Sequence, residues 1–275
     1  MISYFFIPAN NQNFLSKKSI INSSEFIIDF EDSINDEDLI LFLKNLDIYK
    51  LAKDTWVRIV NPIHSKNSNK DLLIKKLLES GYTNFIVPKI RSVEERNLIF
   101  KKFNSLKLKT QNIKFILLIE NPLALLNLYD ICNSRQVHGV GAGSHDYCAE
   151  MKMEHTLDNI FLLRISILNV AKALKIQAID FASMDIRIES DFKNECLEAK
   201  SKGFDAKFII HPWQLNIFNK INFYTNENIN FARKVDRYIK KIGGIDKFKI
   251  TTIDGRIIEK LHLPEILNIL KNDKF

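Results

Sequence analysis

Residues 115–119 read Phe-Ile-Leu-Leu-Ile, and Glu120 and Pro122 follow this apolar run almost at once. A run of this length that ends in a polar break is typical of a strand buried on both faces of a parallel sheet. Residues 137–146 repeat the arrangement, because a second apolar run leads through glycines into Asp146. Two predicted strands that end in carboxylates therefore follow one another along the chain.

Apolar runs of this kind recur along most of the chain, and longer segments with helical spacing separate them. Eight strand-and-helix alternations in about 220 residues predict an α/β protein built as a (β/α)8 TIM barrel. No glycine-rich phosphate loop follows the first run, which counts against a doubly wound open sheet. The predicted strands span residues 4–7, 26–30, 56–60, 84–87, 115–119, 137–140, 178–181 and 208–210.

A C-terminal extension follows the eighth alternation. It contains an amphipathic segment that stops at Gly243 and a hairpin with Asp254 at its turn. No linker separates it from the barrel, so we expect one domain. The predicted bounds are 1–222 for the barrel, 223–275 for the extension or lid, and 226–242, 249–258 and 263–270 for its helix, hairpin and helix.

The composition excludes several classes of protein. The 275 residues are 46% hydrophobic with only 8 Gly and 6 Pro, which rules out a disordered or fibrous chain. The net charge of +7 is spread out with acids interleaved, so we expect no nucleic-acid partner. Glu120 and Pro122 break the longest apolar region, so we expect no membrane segment. Three unpatterned cysteines favour a reducing compartment, and we expect a cytoplasmic protein.

Polar residues at the strand ends form the candidate site, because reacting groups of a β/α barrel lie where strands end and loops begin. Glu120 and Asp146 follow neighbouring strands, so both carboxylates are expected to reach one point. Two carboxylates with waters and a chelating substrate suit Mg²⁺. Helix capping is the alternative role for Asp146. Arg58, on the third strand, is placed to hold a carboxylate or an enolate oxygen with its planar guanidinium.

Three further charged residues follow strands at the same edge. Glu31 and Asp32, after the second strand, are candidates for ordering waters around the metal, with capping of the next helix as the alternative. Lys89, after the fourth strand, is expected to pair with Glu31 or Asp32 rather than to form a Schiff base.

The order of these motifs resembles the HpcH/HpaI aldolase/citrate lyase family, in the branch that is similar to the citrate lyase β subunit. The matches run in order through nearly the whole chain. They are Phe-Ile-Pro-Ala (6–9), Asp-Phe-Glu-Asp-Ser-Ile (29–34), Val-Arg-Ile-Val-Asn-Pro (57–62), Pro-Lys (88–89), Ile-Glu (119–120), Gly-Ser-His-Asp (143–146), Gly-Phe-Asp-Ala-Lys-Phe-Ile-Ile-His-Pro (203–212) and Asp-Gly-Arg-Ile-Ile-Glu (254–259).

The resemblance implies a Mg²⁺-dependent carbon–carbon lyase that assembles as a homotrimer or a hexamer. Glu120 and Asp146 match the family's metal ligands, and Arg58 matches the residue that contacts the same substrate oxygens. Ser3 matches a serine at a substrate-binding position of the first strand. Glu259 matches the lid carboxylate that completes the site of a neighbouring subunit and acts in catalysis.

The reaction implied by the resemblance cleaves, or in reverse condenses, a 3-hydroxyacyl-CoA such as citramalyl-CoA or malyl-CoA. Breaking a carbon–carbon bond beside a carbonyl leaves negative charge on an enolate oxygen, which a divalent cation and an arginine stabilise. Two alternatives stay open. One is an aldolase that acts on free 2-oxo acids without coenzyme A. The other is a non-catalytic subunit that binds a metal and an oxo acid, with an acyl carrier protein as its partner.

Four departures from the family pattern bear on the substrate more than on the metal. Ile2 precedes Ser3 where the family has arginine, and Val60 is an additional residue in the third-strand motif. His145 replaces the acidic residue before the metal aspartate, and Glu259 is one methylene longer than the lid aspartate.

Overall fold

A computed structural model of the chain describes residues 1–11, 25–31, 39–40, 55–64, 68–106 and 112–272. Eight parallel strands close into a barrel in chain order, with β1 paired to both β2 and β8. The predicted (β/α)8 barrel is therefore confirmed. The strands are β1 Ile2–Pro8, β2 Glu25–Asp29, β3 Trp56–Arg58, β4 Asn84–Val87, β5 Lys114–Ile119, β6 Val137–Ala142, β7 Gln177–Asp180 and β8 Ala206–Ile209.

In the described part of the chain, helices follow strands β3 to β8, as the alternating pattern predicts. Predicted and observed strand ends differ by at most two residues; β3, for example, ends at Arg58 although the next residue, Ile59, is buried. Apolar runs report burial, and burial continues beyond the hydrogen-bonded ladder. The helices of this part of the chain are α1 Ser68–Glu79, α2 Val93–Leu106, α3 Pro122–Leu126, α4 Leu128–Cys132, α5 Ser144–Met151, α6 Phe161–Leu174, α7 Glu189–Lys202 and α8 Pro212–Phe218.

Side chains at alternating strand positions fill the inside of the barrel. Tyr4 makes edge contacts with the rings of Trp56 and Phe208, and its hydroxyl donates to Gln177 Oε1 at 2.6 Å. A Cβ at Gly141 would lie 2.5 Å from Phe208 Cε2, so this glycine makes room for the ring. The interior cluster consists of Tyr4, Ile27, Trp56, Ile86, Ile116, Leu118, Ile179, Ala206 and Phe208.

Buried ion pairs join β7 and β8 to helices α6 and α7. Arg164 donates to both carboxylate oxygens of Asp180 at 2.9 and 3.0 Å and to Glu198 Oε2 at 2.6 Å. Lys207 Nζ lies 2.7 Å from Glu195 Oε1. The side chains of Arg164, Asp180 and Lys207 are fully buried, so each charge depends on its partners for compensation.

The chain divides into two compact units, Met1–Lys220 and Ile221–Phe275. In the second unit a helix ends at Gly243, whose φ of 89° is left-handed. Asp254 and Gly255 also have positive φ and form the hairpin turn. The predicted helix–hairpin–helix is confirmed, with α9 Asn226–Ile242, β9 Thr251–Ile253, β10 Arg256–Ile258 and α10 Leu263–Asn272.

Within the ranges given above, none of the helices combines the length and the apolar character that crossing a bilayer requires.

Candidate active site

A cavity of about 240 Å³ lies at the carboxyl ends of the barrel strands. Its lining residues are at the ends of β1, β2, β3, β5 and β8 and in the loops that follow β6 and β7. The structure thus brings Arg58, Glu120 and Asp146 to one place. The polar residues of the lining are Asp29, Arg58, Glu120, Ser144, His145 and Asp146.

Glu120 is the buried carboxylate of this cavity, with 4% of its surface exposed. Its Oε2 accepts a hydrogen bond of 2.5 Å from the backbone N–H of Lys89. Burial and the neighbouring charge of Glu31 raise the pKa of Glu120 to about 8, against the opposing effects of that N–H and of Arg58. The ionised carboxylate is therefore unfavourable here by itself, and a bound cation would offset its cost.

Lys89 presents its N–H to Glu120 from a strained backbone. Its φ of 53° is left-handed, which costs a non-glycine residue about 1–3 kcal/mol. The buried Asn61 holds this turn, because its Nδ2 donates to the carbonyls of Pro88 at 3.1 Å and Lys89 at 3.3 Å. Lys89 Nζ lies 2.9 Å from Glu31 Oε1, so its ammonium forms an ion pair, as expected of a structural lysine.

Two carboxylates hold the guanidinium group of Arg58 in place. Its Nε and Nη2 donate to the two oxygens of Asp29 at 2.7 and 2.8 Å, and Nη1 lies 3.0 Å from Glu31 Oε2. The register of β2 and β3 sets this contact, because Asp29 and Arg58 are Cα partners across the ladder. These charge-assisted contacts fix the orientation of the guanidinium at the wall of the cavity.

The charges of the site suit a divalent cation with oxygen ligands. When all four carboxylates are ionised, they exceed the two cations by two charges. Within the described ranges, no group of three or more His, Cys, Asp or Glu side chains is arranged to hold a metal. Glu120 and Asp146 would supply carboxylate oxygens and leave other positions to water and substrate, which is usual for Mg²⁺. The charged residues are Asp29, Glu31, Glu120, Asp146, Arg58 and Lys89.

Gly143 brings the backbone of the loop after β6 against Glu120. A Cβ at this position would lie 2.2 Å from Glu120 Cγ and 2.7 Å from Oε1. Only glycine allows this approach while the carboxylate keeps its place. Asp146 follows in the first turn of α5, so Gly143 controls the placement of one carboxylate and directly precedes the helix that carries the other.

Gly143→Ala is expected to weaken Mg²⁺ binding at least about tenfold, because the added methyl group displaces the Glu120 carboxylate. Calorimetric titration of Mg²⁺ in the presence of pyruvate measures the effect. Gly139→Ala, on β6, is the control, since its added Cβ is also crowded, at 3.2 Å from the backbone carbonyl of Gln177, but its nearest neighbours do not include Glu120. Equal metal affinity in Gly143→Ala and wild type would contradict the role given to this contact.

Five residues predicted for the site are not among the described residues that line the cavity, namely Glu31 and Lys89, whose contacts are given above, and Ser3, Asp32 and Glu259. Ser3 is fully buried near the start of β1, where it is the register partner of Lys207 at the opposite end of the strand from the site. Asp32 lies outside the described residues. Glu259 belongs to the second unit, where it follows β10 and its N–H donates to His262 Nδ1 at 3.0 Å.

Sequence reasoning assigned no role to Asp29 or Asn61. Asp29 ends β2, and a carboxylate at a strand end is the same pattern that indicated Glu120, so the sequence alone could have indicated Asp29. The side-chain amide of Asn61 donates to the backbone of the loop after β4, and no local sequence pattern indicates a contact between these two segments.

Two relatives match nearly the whole chain. The citrate lyase β subunit of Haemophilus influenzae is 28% identical over 278 residues, covering 95% of this chain and 94% of that protein. The mitochondrial citramalyl-CoA lyase of Rattus norvegicus is 26% identical over 287 residues, covering 96% and 83%.

Solved structures share the fold. The protein CitE from Mycobacterium tuberculosis, in complex with magnesium, acetoacetate and coenzyme A, matches with a TM-score of 0.79 at 21% identity, covering 98% of this chain and 97% of that one. The family model for HpcH/HpaI aldolase/citrate lyase matches residues 3–212, which span the barrel and every strand end that lines the cavity. With its carboxylates and its arginine at those strand ends, the chain belongs to the HpcH/HpaI aldolase/citrate lyase family of carbon–carbon lyases.

Proposed function

We propose that the protein is a Mg²⁺-dependent carbon–carbon lyase that cleaves a 3-hydroxyacyl-CoA such as citramalyl-CoA or malyl-CoA, or forms it in reverse. The observation that carries this proposal is the placement of Glu120, Asp146 and Arg58 on one cavity. The relatives named above support it, since one is a citramalyl-CoA lyase and one is bound to magnesium and coenzyme A.

Each residue has a distinct part in this proposal. Glu120 and Asp146 would hold Mg²⁺. The Lys89 N–H donates to Oε2 of Glu120, so Oε1 is the oxygen that would bind the cation. When bound, the cation supplies positive charge that stabilises the negative charge developing on the substrate oxygens. Arg58 binds the same oxygens through its planar guanidinium.

The carboxylates around Arg58 fix the position of its side chain. Asp29 and Glu31 prevent its guanidinium from turning, so the guanidinium is oriented before substrate arrives. Glu31 and Asp32 would also order water around the cation, with Lys89 balancing the charge of Glu31.

Glu259 of a neighbouring chain is proposed to act as the acid or base. Cleavage leaves negative charge on the acyl carbon, which must take up a proton, and a carboxyl group can deliver it. Ile257 and Leu261 on either side of Glu259 are 68% and 70% exposed, an apolar surface that a second chain of a homotrimer or hexamer would cover.

The three cysteines are free and buried, which suits the reducing, cytoplasmic setting that we propose.

Calorimetric titration of oxaloacetate or pyruvate with and without Mg²⁺ tests the site, and assays with citramalyl-CoA and malyl-CoA test the reaction. We expect Mg²⁺-dependent binding and cleavage of a CoA thioester. Turnover of 2-oxo-4-hydroxy acids without affinity for coenzyme A would favour the free-acid aldolase. Binding without any turnover, with retention of an acyl carrier protein, would favour the non-catalytic subunit. No Mg²⁺-dependent binding would contradict the metal site.

A further inference from the structure

Two buried asparagines bind consecutive carbonyl groups of the loop after β4. Asn61, which follows β3, donates from Nδ2 to the carbonyls of Pro88 at 3.1 Å and Lys89 at 3.3 Å. Asn121, which follows β5, donates from Nδ2 to the carbonyl of Ile90 at 2.9 Å. Because β3 and β5 flank β4 in the barrel, the loop is held from both sides.

The two asparagine side chains are themselves fixed by the bonds that their oxygens accept. Asn61 Oδ1 accepts the N–H of Ile63 at 3.0 Å. Asn121 Oδ1 accepts the N–H of Ala124 at 2.8 Å and so caps α3. With each oxygen occupied as an acceptor, each amide must turn its NH₂ group toward the loop. The asparagines are only 2% and 3% exposed, so water cannot readily replace these bonds.

The held loop has a conformation that its central residue disfavours. Lys89 has a left-handed φ of 53°, where the Cβ of an L-residue crowds the backbone. Bonds to the carbonyls of residues 88, 89 and 90 keep the loop from relaxing to an ordinary φ. In this conformation the N–H of Lys89 donates to Glu120 Oε2 at 2.5 Å. The asparagines therefore determine where that N–H lies.

This N–H makes the two carboxylate oxygens of Glu120 inequivalent. Oε2 is engaged, whereas Oε1 faces Gly143, where an added Cβ would lie 2.7 Å from it, in the loop that leads to Asp146. A carboxylate held in this way presents one oxygen to a cation. Mg²⁺ keeps octahedral coordination with several waters, whereas Ca²⁺ takes more ligands and accepts both oxygens of one carboxylate.

We propose that Asn61 and Asn121 are positioning residues that hold Lys89 in place, restrict Glu120 to one metal-binding oxygen and thereby favour Mg²⁺ over Ca²⁺. This inference rests on the proposed function, because it takes Glu120 as a ligand of the metal. If the asparagines are removed, Lys89 relaxes and Oε2 is released. The carboxylate can then bind a larger cation with both oxygens.

Calorimetric titration of Mg²⁺ and of Ca²⁺ into the full-length protein, in the presence of pyruvate, tests the proposal. We expect wild type to bind Mg²⁺ more tightly than Ca²⁺. Asn61→Ala should lower the ratio of Mg²⁺ to Ca²⁺ affinity at least about tenfold. Asn121→Ser should lower it too, since serine still caps α3 but is too short to donate to Ile90 as well. Asn104→Ala, the control on an exposed asparagine of α2, should leave the ratio unchanged.

Two double variants test whether the asparagines act through the strained backbone. Glycine adopts a left-handed φ without strain, so Asn61→Ala with Lys89→Gly should recover most of the wild-type affinity ratio. Asn61→Ala with Lys89→Ala keeps the strain and should not recover it. Both double variants lack the lysine ammonium, so the lost ion pair with Glu31 does not contribute to the difference. Equal ratios in the two double variants would overturn the proposal.

Amide hydrogen exchange in the metal-free protein measures the hold on Lys89 without any cation. After selective isotope labelling of lysine nitrogen, NMR should show the Lys89 N–H exchanging at least about tenfold faster in Asn61→Ala than in wild type. The other lysine amides report whether the variant is folded. Unchanged exchange of Lys89 would overturn the proposal.

The two experiments distinguish failure of this inference from failure of the proposed function. Metal binding in wild type with an unchanged affinity ratio in Asn61→Ala would overturn the inference alone. Wild type that binds neither Mg²⁺ nor Ca²⁺ would contradict the metal site itself, and the inference with it.

Discussion

Glu120→Gln is expected to lower the rate of Mg²⁺-dependent cleavage by at least about 10³-fold, because it removes one of two protein ligands and with it several kcal/mol of charge stabilisation. The amide has nearly the same shape as the carboxylate and can still accept the N–H of Lys89 through its oxygen. The loss should therefore come from the missing charge rather than from a rearranged loop. Calorimetry should show a parallel loss of Mg²⁺-dependent pyruvate binding.

Glu150→Gln is the matched control, since it makes the same chemical change on an exposed residue of α5, the helix that carries Asp146. This variant should cleave at the wild-type rate. Retained cleavage in Glu120→Gln would show that Glu120 is not a ligand of the metal. It would also contradict the proposed source of charge stabilisation.

Arg164→Ala is expected to lower the free energy of unfolding by about 3–5 kcal/mol, because it leaves the fully buried Asp180 without its bidentate partner. Lys207 Nζ, at 3.4 Å from Asp180, compensates that carboxylate only in part. Chemical denaturation followed by circular dichroism measures the change.

Lys172→Ala, on the same helix, is the control for this variant. Lys172 Nζ lies 2.6 Å from Asp205 Oδ1, but the two side chains are 50% and 38% exposed. Exposed pairs contribute about 0–1 kcal/mol, so this variant should unfold close to wild type. A similar loss in both variants would show that the buried network is worth no more than a surface ion pair.

The barrel was predictable because each of its strands is a local apolar run, and parallel strands are buried on both faces whatever their partners are. The least predictable feature was where each strand ends. Ile59 is as deeply buried as Trp56 and Val57 of β3 although it lies beyond the ladder, and hydropathy cannot separate a buried ladder residue from a buried residue outside the ladder.

The candidate site was predictable in part for a related reason. Barrel topology puts every strand end on one rim, so Glu120, Asp146 and Arg58 were identified from their positions in the chain. Asp29 satisfied the same rule, yet its role required the register of β2 against β3, which places it across from Arg58.

The sequence by itself determined the alternation of strands and helices, the rim on which the charged residues lie, and the hairpin turn at Asp254 and Gly255, because each follows from interactions between near neighbours in the chain. Only the tertiary structure decided that Gly143 lies against Glu120 and that Asn61 holds the turn at Lys89. These contacts depend on distances of a few tenths of an ångström between segments that meet only once the barrel has closed, and no local pattern of residue types encodes such distances.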